Sequence, residues 1–88
     1  MSDYRSADIS TLQKEFVRTS TALSRRYVAL HDQAPDAYEE QCWLDRIIEL
    51  RTQKRGVEYT DRGALIRCID QWATRLNDLD VMERGYQA

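Results

Sequence analysis

A chain of 88 residues can form one modest core, because so short a polypeptide buries only about 60–65% of its unfolded surface. Thirteen basic and fifteen acidic residues leave a net charge of −2, which excludes a global attraction to nucleic acid or anionic lipid but leaves room for a local basic patch. The sequence has no apolar stretch near the ~20 residues that cross a bilayer, and its polar start lacks the apolar segment of a signal peptide.

These features predict one helical domain over residues 1–88 and a cytoplasmic location. Cys42 and Cys68 lack metal-ligand or CxxC spacing, so both are predicted to be free thiols. We expect no metal, no cofactor and no membrane association.

The first predicted helix spans about residues 9–32, after a frayed leader over residues 1–7. Its apolar residues fall within roughly a 60° arc, closer to a coiled-coil seam than to a globular helix face. Ser10 and Gln13 match a capping box at its start, and Pro35 favours an end near residues 31–34. Thr19 and Ser20 interrupt the seam, which otherwise consists of Ile9, Leu12, Phe16, Leu23, Tyr27 and Leu30.

The second predicted helix spans about residues 36–55. Asp36 and Glu39 place acidic groups in its first turn, where the helix dipole favours them. Lys54 and Arg55 lie in its last turn, and Gly56 is predicted to be a left-handed C-cap. Its apolar residues are Ala37, Trp43, Leu44, Ile47, Ile48 and Leu50.

The third predicted helix spans about residues 61–80, with Thr60 as its N-cap and a frayed tail over residues 81–88. Its apolar residues are Leu65, Ile66, Ile69, Trp72, Leu76 and Leu79. Three such helices predict an all-α, antiparallel, up-down-up bundle, in which Arg25 and Arg26 lie beside the acidic half of the second helix. The narrow seam of the first helix also allows a long helical hairpin that completes its core by dimerising.

The predicted function is a protein–protein interaction module that acts as an adaptor, a regulator or a self-assembling component. Val17, Val28 and Tyr38 lie outside the tight apolar stripes and are predicted to form the surface that binds another protein or a second copy. No catalytic activity and no small-molecule substrate are expected. His31 has no second ligand at metal spacing, and the chain offers no nucleophile elbow and no glycine-rich phosphate loop.

A second hypothesis is phosphate or nucleic-acid binding at a basic tip between helices 2 and 3. The amides at the start of the third helix would assist such a site. Glu58 and Asp61 dilute the charge and no aromatic residues interleave with it, so solvated side chains are the favoured interpretation. The basic residues are Arg51, Lys54, Arg55, Arg62 and Arg67.

The segment Arg55-Gly56-Val57-Glu58-Tyr59-Thr60-Asp61-Arg62, followed by Leu65, Ile69 and Leu76, resembles part of the small phage head–tail joining proteins of the gpW type. The resemblance implies a short β-hairpin between two helices and a structural role in a virion. This chain departs from that pattern, because it leaves no room for the first hairpin strand and has a long additional N-terminal helix.

Overall fold

Three α-helices make up almost all of the computed structural model, which describes residues 7–87 and, for side chains, residues 7–83. They are α1 (Ile9–Asp32), α2 (Ala37–Gly56) and α3 (Arg62–Gln87). The helices run up, down and up, which confirms the predicted all-α antiparallel bundle. Of the leader predicted over residues 1–7, residues 1–6 lie outside the described part of the chain.

Helix α1 lies between the other two and packs against both of them. By contrast, no Cα atom of α2 lies within 8 Å of a Cα atom of α3. These two helices meet through long side chains: the Trp72 indole N–H donates to Gln53 Oε1 at 3.2 Å, and the Gln53 amide donates to Gln71 at 3.1 Å. The bundle is therefore splayed, with extents of 43 × 29 × 14 Å.

Each helix begins at an aspartate whose carboxylate accepts the N–H three residues further on, which satisfies one of the unpaired amides of the first turn. The donors are Thr11 for Asp8 (2.8 Å), Glu39 for Asp36 (2.9 Å) and Ala64 for Asp61 (3.1 Å). The predicted caps Ser10 and Thr60 were therefore wrong. Gln13, the other half of the predicted capping box, donates instead to the Tyr59 carbonyl at 2.8 Å.

The ends of α2 and α3 also differ from prediction. Gly56 is the last residue of α2 and has no positive φ, because Val57 leaves the helix in an extended conformation. Helix α3 continues to Gln87, whereas a tail was predicted from residue 81. Arg26 explains part of this length, since it forms ion pairs with Asp80 and, at 2.9 Å, with Glu83. Arg26 therefore pairs with α3 and not with the acidic half of α2.

The hydrophobic core is supplied mainly by α1 and α3. Phe16 lies at its centre, with its ring centroid 5.0 Å from that of Trp72. Helix α2 contributes only Leu50 to the buried apolar residues that the structure describes. These residues are Leu12, Phe16, Leu23, Tyr27, Leu50, Leu65, Cys68, Ile69, Trp72 and Leu79. Trp43 and Ile47 of α2 are half-buried against this core, whereas Leu44 and Ile48 are exposed.

The connection between α2 and α3 is a turn, in which the Asp61 N–H donates to the Glu58 carbonyl at 3.0 Å. Tyr59 lies edge-on against Phe16, with 5.9 Å between the ring centroids. No strand occurs between residues 7 and 87, so the β-hairpin implied by the phage-protein resemblance was wrong. Five residues between the helices are too few to pair two strands through a turn.

Candidate functional site

An open groove lies where the first turns of α2 and the last turns of α3 diverge over the C-terminal part of α1. We call it the α2–α3 groove. It encloses about 670 Å³, which is within the range of ligand-binding clefts. Its apolar lining comes from all three helices and consists of Tyr27, Leu30, Ala34, Tyr38, Trp43, Leu79 and Met82, with Cys42 beside them.

The floor of this groove is packed and its rim is exposed. Tyr27 and Leu79 are buried, and the Tyr27 ring lies 6.0 Å from the half-buried Trp43 ring at an interplanar angle of 33°. Burial raises the pKa of Tyr27, although two nearby arginines partly oppose the shift, so the phenol is neutral at physiological pH. Tyr38 is 79% exposed and Met82 is exposed as well. The groove therefore presents accessible apolar side chains on a fixed base.

The polar rim of the groove carries both signs of charge. Glu39 and Asp78 supply two carboxylates, and Arg46 and Arg75 supply two guanidinium groups. The same two arginines border the narrow end of the space between α2 and α3, where Gln53 and Trp72 close it. A surface with an apolar centre and mixed charges at its edge has the composition of a protein-binding site.

The described residues include few side chains with the chemistry of a metal or nucleophilic site. Between residues 7 and 83 there is no cluster of three or more histidine, cysteine, aspartate or glutamate side chains that could hold a metal ion. His31 contacts its neighbour Asp32, with 3.2 Å between Nδ1 and Oδ1. Burial raises the pKa of the Cys68 thiol, which lowers its nucleophilicity at neutral pH because the thiolate is the reactive form.

The three residues predicted to bind a partner are all exposed, but the structure does not bring them into one depression. Tyr38 lies in the α2–α3 groove. Val17 borders a shallow depression beside Tyr59, at the opposite end of α1. Val28 borders neither of these depressions. A binding surface centred on Tyr38 therefore has to be completed by residues other than the two valines.

The structure also divides the five predicted anion-binding residues. Arg51 and Lys54 turn towards α1 and, together with Arg25, border a second groove of about 230 Å³, which we call the α1–α2 groove. No carboxylate lines it; its other lining residues are Ser20, Thr21, Ser24, Ile47 and Leu50. Arg55, Arg62 and Arg67 are exposed and do not border this groove.

Sequence reasoning missed Met82, Arg46 and Arg75 as groove residues. Met82 was assigned to a frayed tail, and the sequence analysis assigned no role to the two arginines. No signal in α2 pointed to this groove, because Leu44 and Ile48, which form a second helical stripe beside Trp43 and Ile47, do not border it. A helix that packs on a single neighbour needs only one such stripe, so the second indicates an apolar surface without a partner in the fold.

Comparison with known proteins gives no match from which a function could be assigned. No protein-family model matches the chain, and no match was found among curated proteins or solved structures. Of the three helices within residues 9–87, none combines the length and the apolar character that spanning a membrane requires.

Proposed function

We propose that this chain is a non-enzymatic protein–protein interaction module that binds an amphipathic helix of a partner protein in the α2–α3 groove. The observation that supports it is the accessibility of Tyr38, Trp43 and Met82 beside the buried Tyr27 and Leu79. Contiguous apolar surface of this kind on a small domain is typical of a binding site.

The splay of the bundle gives this groove its shape. Since α2 and α3 both pack on α1 but not on each other's backbone, the space above α1 has the form that a fourth helix fills in a four-helix bundle. A partner helix with apolar residues at positions i, i+3, i+4 and i+7 would cover Tyr38, Trp43 and Met82. Glu39, Arg46, Arg75 and Asp78 would then lie at the edge, where charges set orientation and register.

Site-directed photo-crosslinking tests this assignment in extracts of the native cell. A photoreactive amino acid at position 38 is expected to form an adduct with a partner protein, because this side chain stands in the groove. The same group at position 17 or 28, where the side chains are also exposed, is the matched control and should form little adduct. Adducts at position 17 or 28 but not at position 38 would place the binding surface elsewhere.

The effect of a new charge in the groove on the binding affinity tests the same proposal quantitatively. Tyr38→Asp should weaken binding of the crosslinked partner at least about tenfold, since it places a carboxylate in the apolar groove. Val17→Asp should leave the affinity unchanged. Both side chains are exposed, so circular dichroism should report the same helix content for both variants. Equal affinities for the two variants would contradict the proposal.

Anion binding is a second candidate, supported by the meeting of Arg25, Arg51 and Lys54 around a groove that no carboxylate lines. Pyrophosphate, titrated by calorimetry at low salt, should bind the wild type and lose affinity as salt rises. Arg25→Gln and Arg51→Gln should each weaken binding several-fold, whereas Arg55→Gln, outside the groove, should not. Binding that is absent at low salt, or equally sensitive to all three changes, would remove this candidate.

A further inference from the structure

The solvent side of α2 carries a repeat that the fold itself does not use. Six residues follow one another at steps of four, three, four, three and four, and we call them the outer face of α2. All six are exposed, including Leu44 at 38% and Ile48 at 50%. Leu44 and Ile48 border neither groove. The outer face consists of Ala37, Gln41, Leu44, Ile48, Arg51 and Arg55. Arg51 lies at its edge, where it also borders the α1–α2 groove.

This spacing is that of a coiled-coil seam, in which side chains three and four residues apart lie along one line of a helix. The apolar pair Leu44 and Ile48 occupies the middle of the seam, and polar residues occupy its ends. A seam of this kind is suited to a second helix of similar length. The sequence of the seam decides which helix fits it and in which direction.

The charges along α2 make the helix complementary to itself in the antiparallel direction. The N-terminal half contains Glu39, Glu40 and Asp45 with one cation, Arg46, and the C-terminal half contains Arg51, Lys54 and Arg55 with one anion, Glu49. Neither Glu40 nor Arg51 forms an ion pair within the described part of its own chain. Two parallel copies would place like charges together, whereas two antiparallel copies place each acidic half beside a basic half.

We propose that two copies of this chain associate by antiparallel pairing of the outer faces of α2 around a two-fold axis between Leu44 and Ile48. Leu44 then packs on Ile48 of the second copy, and Gln41 lies opposite Arg51 of the second copy. Because the contact is isologous, each interaction occurs twice. Glu40 flanks the seam on the same side as Arg51. In the dimer, Glu40 of each copy therefore forms an ion pair with Arg51 of the other copy.

The same register brings the two Asp45 side chains close together beside the axis. The Gln41 amide, which donates to Asp45 at 2.9 Å within the chain, offsets part of this repulsion. The contact is confined to one helix pair and falls below the roughly 1,200 Å² of a standard interface. We therefore expect a weak dimer that forms as the concentration of the chain rises. The dimer leaves both α2–α3 grooves open, so that it can bind two partner helices at once.

Sedimentation velocity over a range of concentrations tests the proposal on the full chain. The wild type is expected to shift from monomer to dimer as concentration rises. Leu44→Asp should abolish the shift, and Val28→Asp, a matched change on the exposed side of α1, should not. Asp45→Asn should strengthen the dimer several-fold by removing the repulsion at the axis.

A charge exchange tests the register. Glu40→Arg and Arg51→Glu should each weaken the dimer about tenfold, because each change acts twice in a symmetric contact. The double variant with both changes should recover wild-type affinity within about twofold. Glu58→Arg is the control, because it changes the charge by the same amount as Glu40→Arg at a position away from the outer face. Its dimer constant should stay at the wild-type value.

Three results would overturn the inference. A chain that stays monomeric up to millimolar concentration does not use the outer face. A double charge variant as weak as its two single variants excludes the antiparallel register. A dimer that survives Leu44→Asp but is lost with Tyr38→Asp would show that a second copy occupies the α2–α3 groove, which leaves the proposed groove function standing and removes this one.

Discussion

Replacing Phe16 with alanine is expected to lower the free energy of unfolding by about 3–5 kcal/mol, the usual cost of a large-to-small change at a buried aromatic residue. Phe16 is 2% exposed, and its ring contacts Trp72 of α3 and Tyr59 of the α2–α3 connection. The cavity would therefore remove contacts between three parts of the chain at once. Since small domains are stable by only about 5–15 kcal/mol, urea unfolding followed by far-UV circular dichroism should show a large shift in midpoint.

Val17→Ala is the control for this prediction. Val17 is the next residue in α1 but lies on the exposed side, so its truncation should change the free energy of unfolding by no more than about 0.5 kcal/mol. If the two variants unfolded at the same urea concentration, the core would not be centred on Phe16.

The second large effect is expected for Leu65→Ala, at about 2–5 kcal/mol. Leu65 is 0% exposed and lies in the first turns of α3, within the core formed with α1. Leu44→Ala in α2 removes the same atoms from a side chain that is 38% exposed. Measured at a concentration low enough to keep the proposed dimer dissociated, this change should cost less than about 1 kcal/mol. Equal losses for the two leucines would mean that α2 is as deeply packed as α3.

The helix bounds were predictable because local signals set them. The prediction of residues 9–32 for α1 agrees with Ile9–Asp32, and the α2 prediction was displaced by one residue at each end. Pro35 and Asp36 act within a few residues of themselves, so no knowledge of the tertiary structure was needed. The caps Asp8 and Asp61 were missed because the chain offers several capping residues close together, and backbone geometry selects among them.

The C-terminal end of α3 was not predictable in the same way. Residues 81–83 continue the helix, and Met82 extends the apolar spacing of Leu76 and Leu79, a signal that the prediction of a tail did not use. Arg26 of α1 forms ion pairs with Asp80 and Glu83 on this part of α3. Arg26 and Asp80 are 54 residues apart in the sequence. A contact between residues so distant in sequence depends on the register between two helices, and that register is set by packing.

The candidate site was predicted only in part. Exposure of Tyr38 was predicted from its position opposite Leu44 and Ile48, and Tyr38 is exposed, but so are Leu44 and Ile48. Its neighbours in the groove were not predicted. Trp43 was assigned to the core, against which it does pack, but it also lines the groove. Met82 was assigned to a tail, whereas the structure places it in the same groove because α2 and α3 diverge. The angle between two helices depends on the sizes of the side chains between them, and helical periodicity carries no such information.

The amino-acid sequence by itself determined that this protein is helical, where two of its three helices begin and end, and which side of α1 is buried, because propensity, capping and periodicity act over a single turn. Tertiary structure alone decided that α1 is shared by α2 and α3, that α2 buries only Leu50, and that two grooves remain open. The physical reason is that the apolar side chains of the three helices compete for a limited buried volume. Phe16 and Leu65 fill the limited volume between α1 and α3, and Leu44 and Ile48 of α2 remain exposed.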